Sequence, residues 1–315
     1  MKRFALIGAA GYIAPRHMKA IRDTGNDLVA AMDINDSVGI MDSHFPDAKF
    51  FTEFEQFDAY IDSERRMGRH LDYVAIASPN YLHKAHMHFA LRSDTDVICE
   101  KPLVLFPEDL ETLQRLEKET GQRVNTILQL RLHPAIISLR ERILSGPKDK
   151  IYDVDLGYFT SRGAWYHASW KAVEEKSGGI ATNIGVHFFD MLSFVFGENK
   201  AAIVHHRSHD SSAGYLEFDQ ARVRWVLSIN REHLPAHTPD GQTTHRSITV
   251  DGEEIEFSGG FTDLHTASYQ NILAGEGFGL DIAAPSIELV SRIRTAAMEP
   301  RQGEQHPDIG KVIGR

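Results

Sequence analysis

The stretch Phe4-Ala5-Leu6-Ile7-Gly8-Ala9-Ala10-Gly11-Tyr12-Ile13-Ala14-Pro15 decides the fold of the N-terminal half. An apolar run of strand length meets a glycine, and a proline then stands where a helix makes its first turn. Strand, glycine turn and helix in that order form a phosphate-binding element. Small residues let backbone N–H groups approach a pyrophosphate, and the helix N-terminus faces its charge. The usual spacing is G-x-G-x-x-G/A. Here Ala10 holds the second glycine position and Ile13 the third, so Gly8, Ala10, Gly11, Tyr12 and Ile13 read as a variant of that turn. Asp33 closes the second apolar run, Leu28–Met32, where a carboxylate accepts hydrogen bonds from ribose hydroxyls. It would repel a 2′-phosphate, and no Arg or Lys lies among Ile34–Val38, so the reading favours NAD over NADP.

Outward from this turn, Phe4–Ile7, Leu28–Met32, Tyr73–Ala77, Val97–Cys99 and Val124–Leu128 are continuous apolar runs. Such runs suit strands buried on both faces of a parallel sheet. Helical patterns over Pro15–Thr24, Phe54–Met67, Tyr81–Arg92 and Pro107–Thr120 separate them, the last stopping at Gly121. The alternation predicts a doubly wound Rossmann sheet over residues 1–125.

Residues 126–315 change character. Val154, Leu156 and Tyr158 alternate along Asp153–Tyr158, and Val223, Trp225, Leu227 and Ile229 alternate along Arg222–Ile229. Arg246–Val250 and Glu253–Phe257 flank Asp251-Gly252, a hairpin signal. These predict an α+β domain with a mostly antiparallel, open sheet packed on one face, so the chain is α/β followed by α+β. Helices are expected near Leu264–Ala274 and Pro285–Ala297, the C-terminal one returning to the first domain. Ser145-Gly146-Pro147 and Pro235–Gly241 read as linkers, and residues 300–315 as an extended tail.

Composition bounds the function. Lys+Arg 34 against Asp+Glu 44 gives a net charge of −10, which argues against a nucleic-acid binder. The one cysteine, Cys99, excludes an intrachain disulfide framework and suits a reducing cytoplasm. No apolar run reads as a membrane span. The histidines at 83, 86 and 88 and at 205, 206 and 209 lack ligand spacing, and there is no HExxH or CxxC, so no metal is expected.

Candidate chemistry sits at strand ends, where ligands bind in open parallel sheets. Ser78-Pro79-Asn80-Tyr81-Leu82-His83 follows one strand and Glu100-Lys101-Pro102 another, with Pro102 restricting Lys101 and a candidate for a cis bond. In the second half, Asn183, His187 and Asp190 share one helix face, while Ile184, Phe188, Met191, Leu192 and Val195 form the opposite core stripe. Oxidation of an alcohol needs a base for the hydroxyl proton, and a histidine suits that near neutral pH.

With Gly8–Ala14, Pro79-Asn80-x-x-His83, Glu100-Lys101-Pro102 and the glycine-led helix bearing His187, the chain resembles the glucose–fructose oxidoreductase / inositol dehydrogenase (Gfo/Idh/MocA) family. Ile7–His17, Asp33–Gly39, Thr182–His187 and Gly260–His265 are similar to its bacterial nucleotide-sugar branch. The resemblance implies NAD-dependent oxidation of the sugar 3′-hydroxyl of UDP-2-acetamido-2-deoxy-D-glucuronate. The ketone then feeds an aminotransferase of lipopolysaccharide (O-antigen) sugar biosynthesis. It implies that Lys101 and His187 flank the reacting carbon, one or both taking the proton. Asn183 stands where many members carry an aspartate, which leaves open which of the two is the base. It places Asn80 and His83 near the nicotinamide ribose and extends the cofactor set to Ser78, Pro79, Glu100 and Lys101. The anionic substrate needs cations despite the net acidity. Arg131, Arg162 and Lys171 are the candidates, with Gln129, Lys101, Asn183 and His187 completing the substrate set. A homotetramer built partly through the C-terminal sheet is implied, the Trp225 face being either one candidate surface or the domain's own core, as is 2-oxoglutarate as a hydride acceptor. The rival readings are a dehydrogenase of an unactivated sugar or cyclitol, and a non-catalytic NAD-binding regulator.

Overall fold

The structure is a computed structural model that describes residues 1–236, 238, 241–257, 263–300 and 302–313. It divides into two units, Met1–Gln129 with Thr262–Ala284, and Leu130–Phe261 with Pro285–Arg315. In the first unit, β1 (Arg3–Ile7), β2 (Asp27–Met32), β3 (Lys49–Phe51), β4 (Tyr73–Ile76), β5 (Asp96–Cys99) and β6 (Val124–Thr126) form one sheet in the order β3-β2-β1-β4-β5-β6. Every pairing is parallel, as the continuous apolar runs require. The short edge strand β3 carried no alternation to announce it. The helices are Ala14–Asp23, Phe54–Arg66, His83–Arg92 and Glu108–Thr120. The last ends on Gly121 at φ 77°, a left-handed cap that a glycine adopts without strain. Strand order reverses between β1 and β4, so the turns after Ile7 and Ile76 lie side by side at the crevice of the sheet.

The second unit holds β7 (Tyr152–Thr160), β8 (Asn199–Arg207), β9 (Ser211–Phe218), β10 (Ala221–Ser228), β11 (Thr244–Val250) and β12 (Glu253–Glu254), in the order β12-β11-β7-β10-β9-β8. The sheet is mixed, because its central pair β7·β10 is parallel while the others are antiparallel. Asp251 (φ 53°) and Gly252 (φ 80°) make the expected hairpin turn, but β12 stops at Glu254, short of Phe257.

Both faces of this sheet carry buried apolar residues, which corrects the one-faced expectation. On one side Trp225, fully buried, packs its indole edge-on to Phe189 at 5.2 Å. The Trp225 face is therefore the domain's own core and is withdrawn as an oligomer surface. On the other, Phe159, Ala213 and Val226 meet Ile309 and Val312, so the C-terminal residues form a packed return ending in the Gly310–Ile313 helix, not an extended tail. The helix expected from Pro285 begins at Leu280 and runs to Thr295, carrying the proline inside. The run Glu174–Phe196 has the length and hydropathy of a bilayer span, which composition alone did not suggest. The run is broken at Gly178 (φ 80°) and Gly179 (φ 73°), and 72% of its apolar window is buried within the protein. Part of the linker read at Pro235–Gly241 lies outside the described residues.

Gly214 on β9 faces Trp225, and a Cβ there would stand 2.3 Å from the Ile203 carbonyl oxygen and 2.7 Å from the indole. Gly214→Ala should lower stability by at least about 1–3 kcal/mol, the range for overpacked cores. Thermal denaturation checks it, with Gly39→Ala, at a position where a Cβ meets nothing within 4 Å, as the contrast.

Candidate active site

The glycine turn is built by crowding between neighbouring strands. Gly8 sits at φ 94°, and a Cβ there would stand 2.5 Å from the Ala77 carbonyl carbon and 2.6 Å from the Ser78 nitrogen. Its N–H and that of Ala9 both donate to the Met32 oxygen, at 2.8 and 3.2 Å, tying the turn to the end of β2. Asp33 then reaches back. Its Oδ2 accepts from the Ala10 N–H at 3.0 Å and its Oδ1 from the Asn35 N–H at 2.9 Å. The Ala14–Asp23 helix has no side-chain cap; the Ala14 and Arg16 N–H groups donate to the Gly11 and Ile13 oxygens at 3.1 and 3.0 Å, and Pro15 between them has no N–H, so what the helix offers an anion is its N-terminal dipole. Tyr12 is 90% exposed and Ile34 86% exposed, two large side chains flanking the turn and the acid.

Buried histidines organise the two strand-end segments. Ser78 Oγ lies 2.8 Å from His86 Nδ1, and burial lowers the His86 pKa to about 4, leaving the ring neutral. Asn80 is buried. His83, expected beside a cofactor ribose, has Nδ1 2.8 Å from the Pro102 oxygen and Nε2 2.8 Å from the Ser78 oxygen. Both ring nitrogens thus face main-chain oxygens, so His83 braces the two loops against each other and does not present a nitrogen to a ligand. The Lys101–Pro102 bond is cis. Glu100 is buried, and its Oε1 receives His17 Nε2 at 3.2 Å and His265 Nε2 at 2.8 Å. Burial alone would raise its pKa; the hydrogen bonds from His17 and His265 outweigh that and hold the carboxyl well below the usual range. The three ligand-type atoms lie within 4.8 Å of one another, a spacing their shared hydrogen bonds already use. Sequence reasoning missed His17, His265 and Tyr269 as site-forming residues. The available signal was a polar His17 on the buried face of an amphipathic helix.

In the second unit, Ala181–Gly185 is a π-helical turn leading into the Val186–Phe196 helix. Asn183 and His187 are half-buried on it, and Asn183 Nδ2 donates to the Tyr166 hydroxyl at 3.0 Å. Asp190, read as sharing their polar face, is buried and pairs bidentately with Arg131, Nε to Oδ2 at 2.9 Å and Nη2 to Oδ1 at 2.8 Å. Arg131, expected to meet the substrate, thus has its guanidinium fork matched to a buried carboxylate. Arg162 is exposed, and Lys171 holds its ammonium 4.0 Å over the Trp170 ring. In the first unit, Gln129 keeps a buried Oε1 without a hydrogen-bond partner. Of the Gly260–His265 string, residues 260–262 lie outside the described residues.

A parallel sheet in the order 3-2-1-4-5-6, a glycine turn at its crevice and an acid at the end of its second strand define a dinucleotide-binding domain. Residues 2–127 match the oxidoreductase family's NAD-binding Rossmann fold and residues 140–234 its C-terminal alpha/beta domain. The chain belongs to this family, Gfo/Idh/MocA. It is 51% identical to the WlbA (WbpB) dehydrogenase of Thermus thermophilus, solved in complex with NAD and UDP-GlcNAcA, with a TM-score of 0.94 over 98% of this chain and 99% of that one. The Bordetella pertussis WlbA dehydrogenase, at 21% identity and a TM-score of 0.77 over 96% of each chain, shares the fold. Among curated relatives, the glucose-6-phosphate 3-dehydrogenase of Bacillus subtilis is 26% identical over 62% of this chain and 54% of its own. The putative oxidoreductase YteT of the same organism is 30% identical over 49% of this chain and 36% of its own, so the chain spans about half or less of the length of these two.

The Asp33 carboxylate holds the Ala10 N–H and is the residue expected to accept from ribose hydroxyls. Asp33→Ala should weaken NAD binding about tenfold to a hundredfold, the worth of charged hydrogen bonds, measured by calorimetry. Arg131→Met leaves the Asp190 carboxylate buried without its cation and should cost about 3–5 kcal/mol of stability in urea unfolding.

Proposed function

We propose that this protein catalyses NAD-dependent oxidation of the sugar 3′-hydroxyl of UDP-2-acetamido-2-deoxy-D-glucuronate to the 3-keto sugar. The observation that carries this reading is the 51% identity, across 98% of the chain, to a dehydrogenase solved with NAD and UDP-GlcNAcA. Residues 1–125 hold the cofactor in this reading, and residues 126–315 supply substrate binding and oligomerisation, as a homotetramer in the cytoplasm. The 3-keto product is the kind of carbonyl an aminotransferase consumes, in keeping with a place in lipopolysaccharide sugar biosynthesis.

The chain fits NAD on its own evidence. Gly8 leaves no room for a side chain, the following helix is uncapped, and Asp33 stands ready for a ribose. When bound, NAD supplies the hydride acceptor. Gly8, Ala10, Gly11, Tyr12 and Ile13 form the phosphate turn, Ser78, Pro79 and Asn80 line the crevice, and His83 and Glu100 support Lys101 from behind. Lys101 holds the 3′-oxygen and His187 takes its proton, with Asn183 orienting the histidine face. A carboxylate beside an imidazole would favour its protonated form; the neutral amide of Asn183 supplies no such charge, which keeps Lys101 in contention as the base. Arg162 and Lys171 offer positive charge to the pyrophosphate and the uronate carboxylate, and Gln129 a buried amide. The T. thermophilus enzyme has also been solved with NAD and alpha-ketoglutarate, which supports 2-oxoglutarate as the acceptor that regenerates NAD in place.

Anaerobic titration with UDP-2-acetamido-2-deoxy-D-glucuronate, followed at the NADH absorbance, tests the reading. A signal requiring both the UDP and the carboxylate, stopping near one equivalent per site and resuming with 2-oxoglutarate, is the expected result. Silence with NAD shown to be bound overturns it and directs attention to unactivated polyols. Arg162→Ala should raise KM for the uronate more than for UDP-N-acetylglucosamine; an equal rise removes Arg162 from the carboxylate role.

A further inference from the structure

Two histidines from helices far apart in the chain converge on the residue before Lys101, and a tyrosine stands behind one of them. His17 comes from the Ala14–Asp23 helix; His265 and Tyr269, four residues apart on one face, come from the Leu264–Leu273 helix. His17 and Tyr269 have no exposed surface, and His265 has 2%. The Glu100 carboxylate can only accept, so His17, kept neutral by burial, carries its proton on Nε2 and donates it to Oε1, the oxygen that also lies 2.8 Å from His265 Nε2. His17 Nδ1 is then the acceptor, and the Tyr269 hydroxyl reinforces that tautomer by donating to it at 2.8 Å. The second carboxylate oxygen, Oε2, accepts the main-chain N–H of Lys101 at 3.3 Å. On the far side of the lysine, the Pro102 carbonyl is held by His83.

A buried carboxylate held by two imidazoles is an expensive way to fill space, since apolar residues of similar volume usually serve stability as well or better. Its distinctive effect is geometric. We propose that His17 and His265 are positioning residues for Lys101: through Glu100 they fix the peptide group that precedes it, and so the direction in which its amine projects. The inference rests on the proposed role of Lys101, deepening it. Tyr269 acts one bond further out by reinforcing the His17 tautomer.

The test compares His265→Leu, which keeps bulk but removes the donor, with His265→Gln, whose amide retains an N–H for Glu100. Two readouts are used: steady-state kinetics on the nucleotide sugar, and the pH dependence of Lys101 trace acetylation followed by mass spectrometry, which needs no turnover. The leucine variant should lose about tenfold to a hundredfold in kcat, the scale of a misplaced reacting group. Its calorimetric Kd for NAD should stay within about threefold, and the Lys101 acetylation curve should move along the pH axis. The glutamine variant should recover most of both. A leucine variant that melts earlier but keeps the wild-type kcat and acetylation curve overturns the proposal. If the leucine variant does not fold, His17→Leu, which removes the other donor to Glu100, decides: Lys101 acetylation identical to wild type, with no kcat loss, overturns it equally. Should the wild type not turn over the sugar at all, the proposed reaction fails while the acetylation comparison still decides the positioning role.

Discussion

The first unit depends on the absence of a side chain at position 8. β1 and β4 are adjacent because strand order reverses between them, and the chain leaving β1 must pass within 2.5 Å, measured from where a Cβ would be, of the Ala77 carbonyl carbon. Glycine permits the approach and the positive φ together. From that crossing the following residues turn toward the end of β2, where Met32 takes two N–H groups and Asp33 a third. The helix after the turn is then aimed from the crevice without a cap of its own. Replacement of the second and third motif positions by Ala10 and Ile13 leaves this geometry intact, because neither carries the close crossing.

Much of the architecture was legible in the residues because it is enforced locally. Continuous apolar runs can be buried only between two layers, and the strands they announced are there; the Gly121 stop and the Asp251-Gly252 turn each follow from backbone conformations that few residues adopt. What escaped was set by partners far away in the chain. Parallel pairing of β7 with β10 depends on strands separated by several helices and the β8–β9 pair, and nothing within either strand distinguishes a parallel neighbour from an antiparallel one. The packed C-terminal return rests on Ile309 and Val312, two apolar residues in a polar tail whose significance appears only against Phe159 and Val226.

The candidate site divides along the same line. Lys101, Asn183, His187 and the glycine turn stood out by local motif and spacing. The misread residues are those whose chemistry is consumed within the protein. Arg131 looked like a cation awaiting an anion, and Asp190 like one member of a polar helix face with Asn183 and His187, until each was seen to hold the other. Residue type states which interactions a side chain can make; burial and distance decide which one it does make. Glu100 is the converse case, a motif residue whose two histidine partners lie 83 and 165 positions away.

The division of the chain has a consequence for its synthesis. The first unit includes Thr262–Ala284, and Tyr269 and Ile272 from that segment belong to the same apolar cluster as Phe4, Leu6 and Met18. A nascent chain therefore cannot complete this N-terminal core when residue 129 leaves the ribosome. It must hold an unfinished nucleotide fold open while the entire mixed sheet of the second unit is translated, and only then receive the helix that closes it. Domains usually fold in order of emergence; here the first to emerge is among the last to be finished.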